Sequence, residues 1–265
     1  MKKVTLSVAL AVFNEEKNIT ACLKSVRQTS TVSSVEPLAD EIVVVDGGST
    51  DKTVLLAKKL GAKIIETDNP PIFHLNKQKA IDACQSDWIL QLDADEQISE
   101  PLGQEILQKI HRKEINGYWL PRKNFFLGRF LTKGGQYPDY TLRLYRKGKG
   151  RLPCQSVHEQ AVVEGRTAYL KNDLLHYPYP NFEEYLHKAI RYAQLFAAEY
   201  KKQGVGVGVG AMIKYLFLIP KLTFLKIYFR HRGFVDGFAG LVFALYSGIV
   251  RLTAYVIYWE KRNES

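Results

Sequence analysis

The sequence predicts an α/β fold, with a mixed sheet flanked by helices and a helical segment at its C-terminal end. Short apolar runs alternate with amphipathic stretches up to about residue 110, the pattern of parallel strands joined by crossover helices. Beyond Gly117 the runs become short and irregular, which predicts strands of mixed direction. Of the 265 residues 46% are hydrophobic and 24% charged, a composition that excludes disordered, collagen-like and disulfide-scaffold proteins.

The first apolar run, residues 4–13, is interpreted as a buried strand. Two lysines before it and Ala9-Leu10-Ala11 within it also resemble a signal peptide, but the following segments repeat the strand–helix pattern and favour the strand. In residues 19–26 the apolar side chains recur at i, i+3, i+4 and i+7, which predicts an amphipathic helix. The other predicted elements are strands at 42–45, 63–66, 88–92, 118–121, 141–145 and 161–163, and helices at 53–60, at 75–84, after Ser99 and after Asn181.

The three cysteines, Cys22, Cys84 and Cys154, are widely spaced and form no C-x-x-C pattern. An odd number of cysteines in this arrangement argues against a disulfide framework and against a zinc site. A reducing cytoplasm is therefore the expected compartment.

Positive charge is concentrated towards the C-terminal end. The chain has 37 Lys and Arg against 27 Asp and Glu, a net charge of +10. Ten of the basic and three of the acidic residues lie in residues 201–265, so this segment carries +7. The low-complexity Gly–Val repeat at 205–210 marks a boundary, and we predict two parts, residues 1–203 and residues 204–265.

The basic segment is also the most apolar part of the chain. Its longest uncharged run, residues 237–250, is shorter than the roughly 20 residues that a membrane-spanning helix needs. Because Lys and Arg are interleaved with Phe, Tyr, Leu and Ile, residues 211–260 are predicted to form helices that lie in a membrane interface. The alternatives are a helical subdomain packed on the rest of the chain, a dimer contact, or a spanning helix that includes Arg251.

Two aspartates follow the predicted strand 88–92, at the sheet edge where ligands bind in parallel sheets. Alternate residues of an extended segment point the same way, so Asp93 and Asp95 can face one cation, with Gln97 in phase as a third oxygen ligand. Oxygen ligands suit Mg²⁺ or Mn²⁺, which also bind substrate phosphates. A solvated acidic loop is the alternative.

A glycine-containing loop, D-G-G-S-T-D at residues 46–51, follows the predicted strand 42–45. Its glycines allow a tight turn close to a ligand, Thr50 or Asp51 can cap the next helix, and Asp46 can accept hydrogen bonds from a nucleotide base or ribose. An ordinary turn and helix cap is the alternative. The sequence contains neither G-x-G-x-x-G at this loop nor G-x-x-x-x-G-K-[ST] anywhere, so dinucleotide and P-loop chemistry lose their main support.

These motifs, taken in order, resemble the family 2 glycosyltransferases, which have a Rossmann-type, GT-A-like nucleotide-diphosphosugar transferase fold. The resemblance covers roughly residues 4–160 and rests on F-N-E at 13–15, the loop at 46–51 and D-A-D-E at 93–96. It implies that Asp46 contacts the base, that Asp93 contacts the ribose or the metal, and that Asp95 is the principal ligand of Mg²⁺ or Mn²⁺. Other residues that it places at the nucleotide are Phe13, Asn14, Glu15 and Lys79.

The resemblance also implies an inverting reaction, a single displacement in which a carboxylate removes the proton of the acceptor hydroxyl. In close relatives a V-H-E segment follows an R-L-[FY]-R strand, as in residues 157–159 and 143–146 of this chain. Glu159 is the first candidate for the base and Asp139 the second. Many members of the family carry an E-D pair at the base position, and this sequence departs from that pattern. His158 is a candidate metal or phosphate ligand, or a structural residue. Arg143 and Arg146 are candidate contacts to a phosphate or to the acceptor. Alternatively, they are strand residues that face the solvent.

The end of the chain narrows the expected acceptor. Residues 216–259 are similar to the tail of the lipopolysaccharide-core β-1,4-glucosyltransferase type, and the Q-x-x-R-W motif of processive synthases is absent. The resemblance therefore implies that one sugar, from a UDP-sugar above all, is added to a lipid-linked or lipopolysaccharide-type glycan. The expected location is the cytoplasmic face of the inner membrane, where the enzyme would be peripheral or monotopic.

Two other functions fit parts of the sequence. A sugar-phosphate nucleotidyltransferase has a similar fold, but its members usually open with a Gly-rich loop followed by Arg and Lys, where this chain has A-V-F-N-E at 11–15. A nucleic-acid-binding protein fits the charge of +10. However, that charge lies in an apolar segment and not on a soluble face with stacking platforms, so we expect no nucleic-acid partner.

Overall fold

The computed structural model describes residues 3–27, 37–155 and 160–262. The chain divides into two compact units. Unit 1 comprises Met1–Arg122 and Asp139–His176, and unit 2 comprises Lys123–Pro138 and Tyr177–Ser265. The boundary predicted after residue 203 lies inside unit 2, because the helix that precedes it shares a core with the C-terminal helix.

Strands and helices alternate in unit 1, whereas helices dominate unit 2. The strands are β1 (Leu6–Val12), β2 (Glu41–Asp46), β3 (Lys63–Glu66), β4 (Trp88–Leu92), β5 (Glu96–Ile98), β6 (Gly117–Phe126), β7 (Arg129–Phe130), β8 (Asp139–Arg146), β9 (Gly150–Arg151), β10 (Val162–Val163), β11 (Thr167–Tyr169) and β12 (Leu174–His176). The α-helices are α1 (Ile19–Arg27), α2 (Thr53–Lys59), α3 (His74–Ala83), α4 (Glu100–Lys109), α5 (Phe182–Lys202), α6 (Val209–Ile213), α7 (Ile219–Leu225) and α8 (Gly237–Lys261). In unit 2 they are joined by π-helical turns at Lys214–Leu218 and Lys226–Arg230 and a 3₁₀ turn at Gly233–Asp236.

Unit 1 is built on a mixed sheet with the strand order β3-β2-β1-β4-β8-β6-β12-β5. The first four of these strands are parallel, whereas β8 runs antiparallel to both β4 and β6. The predicted fold class is therefore confirmed. The irregular pattern beyond Gly117 corresponds to the antiparallel part of the sheet.

Three of the four parallel strands, β1, β2 and β4, are buried on both faces. Val8 and Val44 belong to the core that also contains α1 and α4, whereas Ala9 and Val45 belong to a second core that contains α3. Since successive residues of a strand point to opposite faces, a sheet covered by helices on both sides favours nearly continuous apolar runs. Those runs are the signal that predicted these strands.

The carboxyl ends of the parallel strands lie side by side. Val12 at the end of β1 pairs with Asp46, and Leu10 pairs with Leu92 at the end of β4. The polar loops after β1, β2 and β4 therefore leave the sheet at one edge, as predicted. The antiparallel β8 begins at this edge and ends at the opposite one, where Arg146 pairs with Trp88.

Unit 2 has an α-helical core formed by α5 and α8. Asn181 caps α5 as predicted, because its side chain accepts a hydrogen bond from the backbone N–H of Glu184 at 2.9 Å. Among the described residues, one helical stretch, Gly233–Lys261, is long and apolar enough to cross a membrane, with a mean hydropathy of 1.7 and 33% of its most apolar part buried in the protein. The uncharged run of the sequence ends before Arg251, but the helix continues through Arg251 to Lys261 and is therefore longer than that run. Core helices of soluble proteins can be equally long and apolar.

We expect Gly240→Ala to destabilise unit 2. A Cβ at Gly240 would collide with the carbonyl oxygen of Gly233 and lie 3.0 Å from the Cβ of Asp236, and such overpacking costs about 1–3 kcal/mol. Thermal unfolding of the full chain, followed by circular dichroism, measures the loss. In the matched control Gly210→Ala, the added Cβ meets no atom of the described chain within 4 Å and should stabilise α6 by about 0.5–1 kcal/mol. The same response in both variants would contradict close packing at Gly240.

Candidate active site

A cavity of about 280 Å³ lies at the carboxyl edge of the sheet in unit 1. It is bordered by the ends of β1 and β4, the start of α3 and the end of β12. The lining residues are Ala11, Val12, Phe13, Glu15, Asn69, Phe73, Asn76, Lys77, Asp93, Ala94, Asp95 and His176. The structure therefore brings four of the predicted site residues, Phe13, Glu15, Asp93 and Asp95, to one cavity.

Asn14 holds the wall of this cavity in shape. Its backbone has a φ of 54°, in the left-handed region that Asn tolerates better than most residues. The side-chain oxygen of Asn14 accepts a hydrogen bond from the backbone N–H of Thr50 at 2.8 Å. The backbone N–H of Asn14 donates a hydrogen bond to the Ser49 hydroxyl at 2.9 Å. The F-N-E motif and the loop at 46–51 are thus locked together, and Asn14 is not among the lining residues.

Asp46 is buried within its own loop and is only 3% exposed. Its carboxylate accepts hydrogen bonds from the backbone N–H of Gly48 at 3.1 Å, from that of Ser49 at 2.9 Å, and from the Ser49 hydroxyl at 2.5 Å. These donors already occupy both oxygens, and Asp46 does not line the cavity. The described geometry makes Asp46 the residue that shapes the glycine loop, and the expected contact with the base stays a prediction.

The D-A-D segment is a tight turn and not an extended strand, so the expected conformation is wrong. The backbone N–H of Glu96 donates to the carbonyl oxygen of Asp93 at 3.0 Å, which closes the turn before β5 begins. Asp93 and Asp95 still face the same cavity, but each has its own partners. Gln97, expected in phase with them, lies in β5 opposite Leu175 and does not line this cavity.

Asp93 is held between two cations. Its carboxylate forms ion pairs with Lys77 and, at 2.6 Å, with Arg143. Burial by itself would raise the pKa of Asp93, but Arg143 and Lys77 outweigh it and hold the pKa well below its usual range. Burial likewise opposes the charge of Arg143, and Asp93 and Glu96 overcome it and raise the pKa of that guanidinium. Both groups are therefore charged at neutral pH.

Glu96 extends this pair into a chain of alternating charges. It is fully buried and accepts hydrogen bonds from the Asp93 backbone N–H at 3.0 Å, from Arg143 at 2.9 Å and from Arg122 at 3.4 Å. Arg122 in turn donates two bonds to one oxygen of Asp139, at 2.6 and 2.9 Å. Glu96 therefore fixes the position of Asp93 and connects it to the second candidate for the base.

Asp95 and His176 form the pair that suits a divalent cation. The Nε2 atom of His176 lies 3.4 Å from the Asp95 carboxylate, and the two side chains are 15% and 23% exposed. In the described part of the chain no three His, Cys, Asp or Glu side chains converge on a metal position. However, Mg²⁺ is usually held by one or two carboxylates together with substrate phosphates, and Mn²⁺ accepts carboxylate and imidazole ligands. One carboxylate and one imidazole on an open cavity therefore fit the expected cation.

Lys77 lines this cavity, whereas Lys79, the lysine predicted to lie at the nucleotide, does not. Residues two apart on a helix point to nearly opposite sides, so only one of the two lysines can face the cavity. Lys77 is buried against Asp93 and lies 4.7 Å from the Phe73 ring centroid, whereas Lys79 is exposed and donates to the Thr67 hydroxyl at 2.8 Å.

The other predicted residues are spread along β8 and the segment that follows it. Asp139 lies on the ion pair with Arg122, and Arg143 lies behind Asp93. Arg146 is at the opposite edge of the sheet, where it stacks on Trp88 and donates to two backbone carbonyls. His158 and Glu159 lie outside the described residues.

Sequence reasoning missed Lys77, Glu96 and His176. Glu96 belongs to the D-A-D-E motif, and its position directly after the aspartates was the available signal. His176 comes to the site only because β12 pairs antiparallel with β5, which sets His176 opposite Glu96. No local pattern in the sequence connects two segments 80 residues apart, as Glu96 and His176 are.

Comparison with known proteins shows the family of the chain. The profile of glycosyl transferase family 2 matches residues 7–163. The chain is 30% identical to the lipopolysaccharide core biosynthesis glycosyltransferase LpsC of Rhizobium meliloti (strain 1021), over 97% of this chain and 93% of that protein.

Two solved structures are also similar. Staphylococcus aureus TarS has a TM-score of 0.50 at 19% identity, over 94% of this chain and 49% of that chain. Glucosyl-3-phosphoglycerate synthase from Mycobacterium tuberculosis, in complex with Mn²⁺, UDP and glucosyl-3-phosphoglycerate, has a TM-score of 0.36 at 25% identity, over 47% and 45%. The match covers about half of each of these two proteins and, for the synthase, about half of this chain as well. TarS supports the fold alone.

The family match covers more than half of the chain, and all three motifs that suggested the resemblance lie within it. It favours sugar transfer over the nucleotidyltransferase alternative. The chain belongs to glycosyl transferase family 2 and is a glycosyltransferase.

Proposed function

We propose that this enzyme transfers a single sugar from a nucleotide diphosphate sugar, a UDP-sugar above all, to a lipid-linked or lipopolysaccharide-type glycan. The transfer inverts the anomeric centre and depends on Mg²⁺ or Mn²⁺. One observation carries the proposal: a single cavity combines Lys77 beside Asp93 with Asp95 beside His176. The similarity to LpsC supports the choice of acceptor.

The cavity offers groups for each part of a nucleotide. Phe13 is 45% exposed and presents an aromatic ring on which a base can stack. Asn76 is 3% exposed, and its Oδ1 atom has no hydrogen-bond partner among the described residues. Since a buried polar atom without a partner is costly, this oxygen is suited to accept a bond from a ribose hydroxyl or a base N–H.

The reaction places negative charge on the departing diphosphate. Asp95 and His176 would hold the divalent cation, which supplies electrostatic stabilisation of that charge. Lys77 lies on the same wall of the cavity and can donate to a phosphate oxygen. Asp93, fixed by Arg143 and by Glu96, orients Lys77 and stays ionised.

A base must remove the proton of the acceptor hydroxyl on the opposite side of the sugar. We propose Glu159 for this role, on the V-H-E resemblance alone. Asp139 remains the second candidate, although one of its oxygens already accepts two bonds from Arg122.

The function is tested by thermal-shift measurements with UDP-, GDP- and CMP-sugars in the presence of Mn²⁺, followed by transfer assays on truncated-core lipopolysaccharide. We expect one class of donor to raise the melting temperature only when the metal is present.

Lys77→Met should lower the rate of transfer by roughly tenfold or more, because a charge-assisted bond to phosphate is lost.

The matched control is Lys79→Met, two residues away on the exposed side of α3, which should change the rate less than about twofold. Pyrophosphate release from a nucleoside triphosphate and a sugar phosphate, without sugar transfer, would contradict the proposal. Equal losses in the two lysine variants would contradict the assignment of Lys77.

We also propose that unit 2 associates with the cytoplasmic face of the inner membrane. On α8, Phe238, Leu241, Leu245 and Ile249 are between 38% and 74% exposed, and their spacing of three or four residues places them on one face of the helix. Exposed apolar stripes of this kind mark interaction surfaces. The basic residues of the segment add attraction to anionic lipid, about 1 kcal/mol each near the surface.

Replacing Phe238 and Leu245 together by Glu should detach the full chain from vesicles of phosphatidylethanolamine and phosphatidylglycerol. Burial of each large apolar side chain contributes about 1.5–3 kcal/mol, so the bound fraction in a flotation assay should fall steeply. The control replaces Leu55 and Val162 of unit 1, which are 53% and 49% exposed, by Glu. Equal flotation of the two variants would place the membrane contact elsewhere.

A further inference from the structure

Unit 2 contains a second cavity, of about 420 Å³, that the proposed reaction does not use. Its walls come mainly from helices of unit 2, and five of its twelve lining residues are aromatic. The side chains that matter for its chemistry are Tyr179, Tyr185, Phe196, Phe243, Ser247 and Arg251. Its volume falls in the range of about 300–1,000 Å³ that is typical of small-molecule sites, which are mostly apolar with a few polar groups.

Among the described residues, Arg251 is the only charged group that lines this cavity. It is also the only charged residue of the chain between residues 237 and 259. Its guanidinium carbon lies 3.6 Å from the centroid of the Phe196 ring, and its polar neighbour is the Tyr200 hydroxyl. No carboxylate of the described chain forms an ion pair with it. A cation in apolar surroundings without an acidic partner favours an anionic ligand.

The aliphatic and aromatic lining of the cavity favours an apolar body for that ligand. Thr223 and Ser247 donate their hydroxyl hydrogens to carbonyls of their own helices, at 2.8 and 2.7 Å. These two hydroxyls therefore offer no hydrogen to a ligand, and the neutral polar groups that remain in the lining are the Gln136 amide and the hydroxyls of Tyr179, Tyr185 and Tyr192. The aromatic walls suit a hydrocarbon chain.

The surroundings of the cavity indicate where such a ligand comes from. Thr223 and Ile227 line the cavity, and Leu222 and Phe229, on the same helical stretch, are 52% and 56% exposed. The cavity thus adjoins an apolar surface that a membrane can cover. Its volume suits one acyl chain and not the several chains of a lipopolysaccharide.

We propose that this cavity binds a glycerophospholipid of the membrane, with one acyl chain against the aromatic side chains and the phosphate at Arg251. The inference rests on the proposed contact of unit 2 with a membrane and is independent of sugar transfer. Such a lipid would hold α8 and α5 in a fixed position on the bilayer surface.

Isothermal titration calorimetry of the full chain tests this proposal with three probes. They are 1-myristoyl lysophosphatidic acid below its micelle concentration, monomyristoylglycerol, which lacks the phosphate, and glycerol 3-phosphate, which lacks the chain. We expect lysophosphatidic acid to bind about tenfold more tightly than monomyristoylglycerol, and glycerol 3-phosphate not to bind. Arg251→Gln should abolish the difference between the first two probes. Tight binding of glycerol 3-phosphate alone would overturn the proposal in favour of a soluble anion.

Two further variants separate this site from general charge and from the enzyme reaction. Arg262→Gln is the matched control, because Arg262 also stacks on an aromatic ring, Trp259 at 3.7 Å, outside the cavity. It should leave the affinity for lysophosphatidic acid unchanged, and a loss equal to that of Arg251→Gln would overturn the proposal. Ala189→Phe, which fills the cavity, should weaken both acyl probes. Asp95→Asn should bind lysophosphatidic acid like the wild type, so failure of the transfer proposal and failure of the lipid proposal are distinguishable.

Discussion

Asp95→Asn is expected to lower the rate of sugar transfer by about three orders of magnitude or more while the protein stays folded. The pair of Asp95 and His176 would lose its negative charge, and with it the cation that stabilises the departing diphosphate. A loss of about 4 kcal/mol of transition-state stabilisation corresponds to a factor of about a thousand. Asp95 lies outside the buried chain of charges and its side chain is 23% exposed, so the free energy of unfolding should change by less than about 1 kcal/mol. Initial rates at saturating donor, together with thermal unfolding, measure the two effects.

The matched control is Asp82→Asn. Asp82 is an exposed carboxylate near the end of α3 and accepts a bond from Gln78 at 2.7 Å, so its replacement should leave the rate within about twofold.

His176→Ala should raise the Mn²⁺ concentration that gives the half-maximal rate by roughly tenfold or more. Removing a residue that only hydrogen-bonds to a metal ligand already has effects of that size, and His176 is proposed to hold the metal itself. Full activity of Asp95→Asn, or of the wild type in excess chelator, would remove the metal from the mechanism.

The parallel half of the fold could be predicted because its signals are local. The strands β1, β2 and β4 are mostly apolar runs followed by polar residues, and the helices between them show their own periodicity. Parallel strands with crossover helices all end at the same edge, so the meeting of the loops after β1, β2 and β4 follows from topology alone. The family resemblance depended on the same loops.

The details of the site could not be predicted because they depend on contacts that are distant in sequence or finer than a motif. Lys77 and Lys79 are equally basic, and only the rotation of α3 against the sheet decides which one meets Asp93. The D-A-D segment turns because Glu96 must reach Arg143 and Arg122, which β8 and β6 supply. His176 depends on the pairing of β12 with β5. The assumption of an extended D-A-D segment ignored these long-range partners.

Arg143→Met is expected to destabilise unit 1 strongly. Arg143 is 8% exposed and pairs with both Asp93 and Glu96, and its removal leaves two carboxylates short of a counter-charge. Losing one partner of a buried ion pair costs about 3–5 kcal/mol, which corresponds to a fall in Tm on the order of 10 °C for a unit of this size. Thermal unfolding of the ligand-free protein measures it, because bound donor would add its own stabilisation.

Arg146→Met provides the control on the same strand. Arg146 donates to the carbonyl oxygens of Ile115 and Arg112 at 3.0 and 2.9 Å, so its loss leaves neutral acceptors and should cost only about 1–2 kcal/mol.

A second substitution decides whether charge or packing is responsible for the cost of Arg143→Met. If Arg143→Met is costly because Glu96 is left with too little positive charge, then adding Glu96→Gln should recover part of the lost stability. Losses that simply add in the double variant would show that shape, and not charge compensation, keeps Arg143 in place.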